Sequence, residues 1–192
     1  HTILINRNKE EVRVIGITSF GVYVPVYRLA REEIARAWKT RGHKGERAVA
    51  RFDEDTLTMA ANAAIHCLKN SVEKPDGLFF GSTTPPYREK QVAAILAAVT
   101  DLPEETRTAD FGGSLRSGTI GLSSAIDAVK SGSAKNITVV ASDSRMGPVK
   151  SQFEQQLGDG AVALGIGSSP NVLATVEGEY NIFSEFVDTW RS

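Results

Sequence analysis

Cysteine is nearly absent from this 192-residue chain: Cys67 stands alone, so no disulfide can form within it. A lone cysteine fits a reducing compartment, and a cytoplasmic location is expected. No apolar run approaches the length of a membrane span, so no membrane partner is expected. An excess of one charge is also missing. The 22 basic and 23 acidic side chains leave a net charge of −1, too little for a bulk pull toward nucleic acid or a lipid surface. The basic residues from Arg41 to Arg51 are interrupted by acids and glycines, and no nucleic-acid motif accompanies them. Histidine is scarce, and neither His43 nor His66 has a second ligand at helical spacing, so no metal centre is expected. There is no internal repeat, low-complexity tract or linker. The first residues, His1 to Asn6, lack a signal-peptide pattern. Residues 1–11 are expected to be an N-terminal extension or tag remnant, and residues 12–192 one domain.

What is present is an ordinary core-forming composition, 41% hydrophobic and 23% charged. Apolar strands alternate with helical periodicities. Val12 to Val24 alternates and is rich in β-branched residues, which marks a first strand. Arg28 to Ile34 begins a short helix with Leu29, Ile34 and Trp38 on one side. Asp53 to Asn70 is a helix capped by Asp53 or Asp55, with Leu57, Ala60, Ala61, Ala64, Ile65 and Leu68 as its buried stripe and Cys67 beside it as a small core residue. Leu78 to Gly81 is the second strand, Gln91 to Thr100 an alanine-rich helix, and Thr106 to Phe111 the third strand. The run Asn136 to Ser142 reads as a strand buried on both faces. Pro148 to Gln156 is a polar helix or loop, Gly160 to Ile166 a fifth strand and Leu173 to Tyr180 a sixth. Asp159 ties turns together. This alternation gives an α/β domain with a mainly parallel sheet. The apolar stretch from Phe183 to Trp190 needs cover from elsewhere.

The chemistry-bearing stretch is Thr106 to Ser131. A short strand, two glycines (Gly112, Gly113) and a helix follow one another, and the first turns of that helix are nearly all small: Ser114, Ser117, Gly118, Thr119, Gly121, Ser123, Ser124 and Ala125. Glycine and serine lower helix propensity, so such a composition suits a helix that other backbones approach closely. The helix start can hold an anion or lower the pKa of a nucleophile. The segment resembles the nucleophile elbow of the thiolase superfamily, most closely its 3-hydroxy-3-methylglutaryl-CoA (HMG-CoA) synthase branch. Ile15 to Pro25, Phe80 to Thr84 and Leu157 to Leu164 support the resemblance, in the family's order and spacing.

That resemblance implies a thiolase-like N-terminal half. Its expected sheet is mixed, mainly parallel and five-stranded, with helices on both faces. The strands should stand in the order 3-2-1-4-5, the fifth antiparallel, with dimerisation along the third. The family chemistry is condensation of acyl-CoA units through a cysteine thiolate and a glutamate acid/base. Anchored on Arg116-Ser117-Gly118-Thr119, the cysteine position is Leu115 here and the glutamate position is Thr83. A leucine cannot carry an acyl group, and a threonine cannot shuttle a proton near neutral pH. No catalytic residue is therefore assigned. Ser114 is the only hydroxyl beside the vacated position, and it reads as a helix cap. The expected substrate pocket comprises Thr83, Leu115, Arg116, Asp143 and Ser144, with acyl-CoA as the substrate and no tightly bound cofactor. The implied partners are a second copy, or a chain carrying a C-terminal thiolase half, together with a zinc-ribbon/OB-fold protein. Three readings stand: an acyl-CoA-processing protein of condensing or retro-aldol type, a non-catalytic subunit that binds acyl-CoA or scaffolds a partner, and an excised half that is inert alone.

Overall fold

The computed structural model describes residues 14–170 and 172–185. Its elements follow as β1 (Val14–Tyr23), β2 (Tyr27–Ala30), α1 (Arg31–Trp38), β3 (Glu46–Val49), α2 (Thr56–Lys69), β4 (Gly77–Gly81), α3 (Val92–Val99), β5 (Arg107–Phe111), α4 (Ser117–Lys130), β6 (Asn136–Ser144), α5 (Gln152–Gln156), β7 (Asp159–Ser169) and β8 (Ala174–Thr175). The expected extension at residues 1–11 and most of the apolar stretch ending at Trp190 lie outside the described residues.

The α/β expectation holds, in a six-stranded mixed sheet flanked by helices on both faces. β4, with two parallel neighbours, β5 and β6, is buried along its whole length. β7 runs antiparallel to both β6 and β1, as expected of the fifth strand. The strand order is a correction. In the notation used above it is 3-2-4-5-1 with the short β8 outermost, so the first strand pairs with the fifth and does not sit between the second and fourth. The reason lies in the burial pattern. The uninterrupted apolar runs of β4 and β6 need cover on both faces and take the middle. β1 alternates buried and exposed positions along its carboxyl half, the pattern of a strand covered on one face there.

Two further corrections are local. The predicted helix from Arg28 begins later, because residues 27–30 form β2 and pair with β3 in a separate two-stranded sheet. The predicted sixth strand shrinks to Ala174–Thr175, and the chain then leaves the sheet. α2 starts at Thr56, with Asp55 as its cap: Thr58 N donates to Asp55 Oδ1 at 2.7 Å, and Asp55 N donates back to Thr58 Oγ1 at 2.7 Å. α3 has no cap from its own side chains. Asp110 of β5 supplies one, accepting from Val92 N at 2.6 Å and Ala93 N at 2.8 Å.

The core has two parts, one on each side of the sheet. Met59, Ala60, Ala63 and Cys67 of α2 and Val92 and Leu96 of α3 pack on Phe80, Val140 and Ala163. Ala125, Ile126 and Val129 of α4 pack on Phe79, Ile137, Val139 and Ile166. Each face thus receives alternate residues of the central strands, as the pleat requires. Among the described residues, no helix is long and apolar enough to cross a membrane.

Candidate functional site

The carboxyl ends of β4, β6 and β7 meet the start of α4 around a cavity of about 290 Å³. Three expected residues, Thr83, Leu115 and Asp143, line it together. The other two sit at its margin: the Arg116 guanidinium donates from Nη2 to Asn181 Oδ1 at 2.9 Å, and Ser144 N donates to Thr84 Oγ1 at 3.0 Å.

Backbone contact between β4 and α4 fixes the elbow. A Cβ on Gly81 would lie 2.8 Å from both N and Cα of Gly118, so neither strand nor helix could stay in place around a larger residue. Gly113, at φ +72°, makes the turn out of β5. The small residues of the stretch therefore do permit close approach, as read from sequence. The helix itself starts at Ser117, later than expected, with Arg116 at the cap position and no side-chain cap. Ser114 is thus not the helix cap. Its hydroxyl accepts from Arg116 N at 3.1 Å, and its carbonyl accepts from Ser117 Oγ at 2.5 Å, closing the turn that carries Leu115. Leu115 is 57% exposed on this turn, on the cavity side.

The polar side of the cavity is organised by Asp143. Its Oδ1 accepts from Thr83 N at 2.7 Å, Thr84 Oγ1 at 2.9 Å, and Ser82 Oγ and Thr83 Oγ1, both at 3.0 Å. Four donors converging on one carboxylate oxygen favour its charged form and lock the loop after β4 to the end of β6. Thr56 Oγ1 donates to Thr84 O at 2.8 Å, which ties the start of α2 to the same loop. Sequence reasoning placed Thr83 and Asp143 on the ligand side of the sheet but gave no sign that they bond to each other.

The opposite side is apolar: Leu115, Leu122, Val139, Ala141, Val162 and Leu164. Leu122, Val162 and Leu164 were missed as site residues. The signal was available in β7, where buried Ala161 and Ala163 alternate with Val162 and Leu164 on the other face. Phe20 and Val22 of β1 stand opposite Leu164 and Val162 and extend that wall into solvent, 55% and 47% exposed.

Groups outside the cavity are structural. Burial pushes the Cys67 thiol up from its ordinary value, against a smaller lowering by the Ser19 hydroxyl, whose Oγ is 3.2 Å from Sγ, and by the Gly165 backbone. Asp159 Oδ2 accepts from Ala50 N at 2.8 Å, joining β7 to the segment after β3, in line with a turn-tying role. The Tyr23 hydroxyl donates to Glu54. That bond raises the phenol's pKa, and Arg51 N followed by Tyr23 lowers that of Glu54.

No protein-family model matches the chain. It is 33% identical over 185 residues to a hydroxymethylglutaryl-CoA synthase of Pyrococcus horikoshii, a match covering 94% of this chain and 53% of that protein. A second relative, the hydroxymethylglutaryl-CoA synthase of Methanocaldococcus jannaschii, is 34% identical over 186 residues, covering 92% and 54%. Among solved structures, MvaS in complex with 3-hydroxy-3-methylglutaryl coenzyme A aligns with a TM-score of 0.75 at 30% identity, over 82% of this chain and 41% of that one. The chain spans about half the length of the curated relatives it matches.

Proposed function

Starting from a chain that is a thiolase-like, HMG-CoA-synthase-like half, we propose that it forms one side of an acyl-CoA-processing site completed by a second thiolase half. The observation that carries this reading is the cavity at the α4 elbow. It joins an apolar wall, suited to an acyl chain, to a hydrogen-bonding rim set by Asp143 and the loop after β4. The chemistry is of acyltransferase, condensing or retro-aldol type, in the cytoplasm, with acyl-CoA as substrate and no tightly bound cofactor. Thr83, Leu115, Arg116, Asp143 and Ser144 make the substrate side of the site. The groups that move protons come from the second half, in a partner chain or a second copy, with a zinc-ribbon/OB-fold protein as a further partner.

Leu115 and Thr83 favour the second reading, a subunit that binds acyl-CoA without turning it over. An apolar side chain at the elbow holds an acyl group by contact and cannot form a thioester. Thr83 donates to Asp143 and offers no base near neutral pH. Ser114 is the sole substitute nucleophile at the turn, and its oxygen already accepts from Arg116 N.

Calorimetric titration with acetyl-CoA and free CoA tests the reading. Saturable binding that favours the acylated form, and that Leu115→Asp weakens at least tenfold, supports it. Absence of acyl-CoA binding, with or without a second half supplied, overturns it. A Leu115→Cys variant incubated with acetyl-CoA then separates the two forms of the idea. Gain of one acetyl mass shows an elbow that still activates a thiolate, whereas binding without acylation favours the non-catalytic subunit.

A further inference from the structure

The outward stripe of α4 carries the chain's own later residues. Ser123 Oγ donates to Glu179 Oε1 at 2.5 Å, and Arg116 Nη2 donates to Asn181 Oδ1 at 2.9 Å. Ser123 stands about two turns beyond Arg116 along the helix. Between Glu179 and Asn181 the chain therefore travels back toward the start of α4, where Leu115 opens the cavity. The contact is polar: the strap lays Glu179 and Asn181 on the helix, while Tyr180, Ile182 and Phe183 face solvent, Phe183 96% exposed. Hydrogen bonds from the surface of α4 thus give this stretch its direction.

The described residues end at Glu185, and Phe186-Val187-Asp188-Thr189-Trp190 follows. At about 3.3 Å per extended residue, Phe186 lies within roughly 17 Å of chain from Asn181. On that heading stands the apolar wall of Leu115, Leu122, Val162 and Leu164, continued by the exposed Phe20 and Val22. We propose that the segment Phe186–Trp190 lies across this wall and covers the cavity with its aromatic side chains. The cavity then has an occupant in the same chain, which any small ligand or docking surface must displace. This arrangement does not depend on what the ligand is, so it stands or falls apart from the acyl-CoA reading.

Tryptophan emission gives the test, because Trp38 and Trp190 are the chain's only two tryptophans. In a full-length Trp38→Phe protein, Trp190 is expected to emit at shorter wavelength than free indole and to be quenched by acrylamide several-fold less. That protection should not change with protein concentration. Val162→Asp, at a half-exposed position, should restore indole-like quenching without altering the far-ultraviolet circular dichroism. Removal of residues 186–192 should raise binding of an anilinonaphthalene sulfonate dye several-fold. Indole-like quenching in the Trp38→Phe protein overturns the proposal, as does protection that Val162→Asp leaves intact. Protection that grows with concentration also overturns it, since a second copy would then be the cover.

Discussion

The two faces of the sheet are finished to different degrees. Beneath α2 and α3, cover runs to the carboxyl ends of the strands, and Met59, Ala63, Phe80, Leu96, Val140 and Ala163 are fully enclosed. Beneath α4, cover stops halfway. Phe79, Ile137 and Ile166 are enclosed, while Val162, Leu164, Phe20 and Val22 form an open wall beside the cavity. The first face holds the fold together. The second trades burial for access, and every expected site residue lies at its open end. A domain can leave such a face unfinished only when the opposite one supplies enough buried apolar area, at about 25 cal/mol per Å².

Substitutions can break that comparison, and the largest effect belongs to the closed face. Phe80→Ala should cost about 3–5 kcal/mol in urea unfolding through the cavity it leaves. A loss near that of a surface site would erase the distinction between the faces. Next comes the seam with α4. Gly81→Ala pushes a methyl group into Gly118 backbone and should cost about 1–3 kcal/mol, with lost cavity binding if the elbow shifts. Asp143→Ala leaves the donors of Ser82, Thr83 and Thr84 without their shared acceptor, for a loss of about 1–3 kcal/mol and greater protease sensitivity in the loop after β4. On the closed face, Cys67 adds a smaller pH effect. Its folded-state pKa is raised, so its contribution is complete below the unfolded thiol value and is lost as pH rises through the folded one. Unfolding titrations above about pH 9 should lose stability, and a Cys67→Ala protein should lose less over the same range. The smallest change is expected from Val162→Ala on the open wall, about 0.5 kcal/mol or less, because that side chain already meets water.

The same division explains what could be read from the sequence. Periodicity located α2, β4, β6 and the elbow, since each is an unbroken pattern of one period and the chain's small residues cluster where α4 meets β4. The position of β1 was misplaced because strand order is set by contacts distant in sequence, and the alternation that marks it as peripheral was not weighed against the continuous runs of β4 and β6. The β2–β3 pair was taken for part of a helix, as four residues carry too little pattern to separate the two periods. At the site, Thr83, Leu115 and Asp143 were legible through their place at strand and helix ends. The apolar wall was not, because Val162 and Leu164 look like ordinary core residues until the face above them proves empty. The strap on α4 left no trace in the sequence: it depends on Glu179 and Asn181, common polar residues with no local pattern.

The meeting of Gly81 and Gly118 has one more consequence. Main chain touching main chain, with no help from residue 115, shapes the socket in which that residue sits. A single codon change can therefore install or remove a reactive side chain there without rebuilding the socket. Chemistry on such a scaffold is easily lost and as easily regained, and the leucine now present need not mark a path without return.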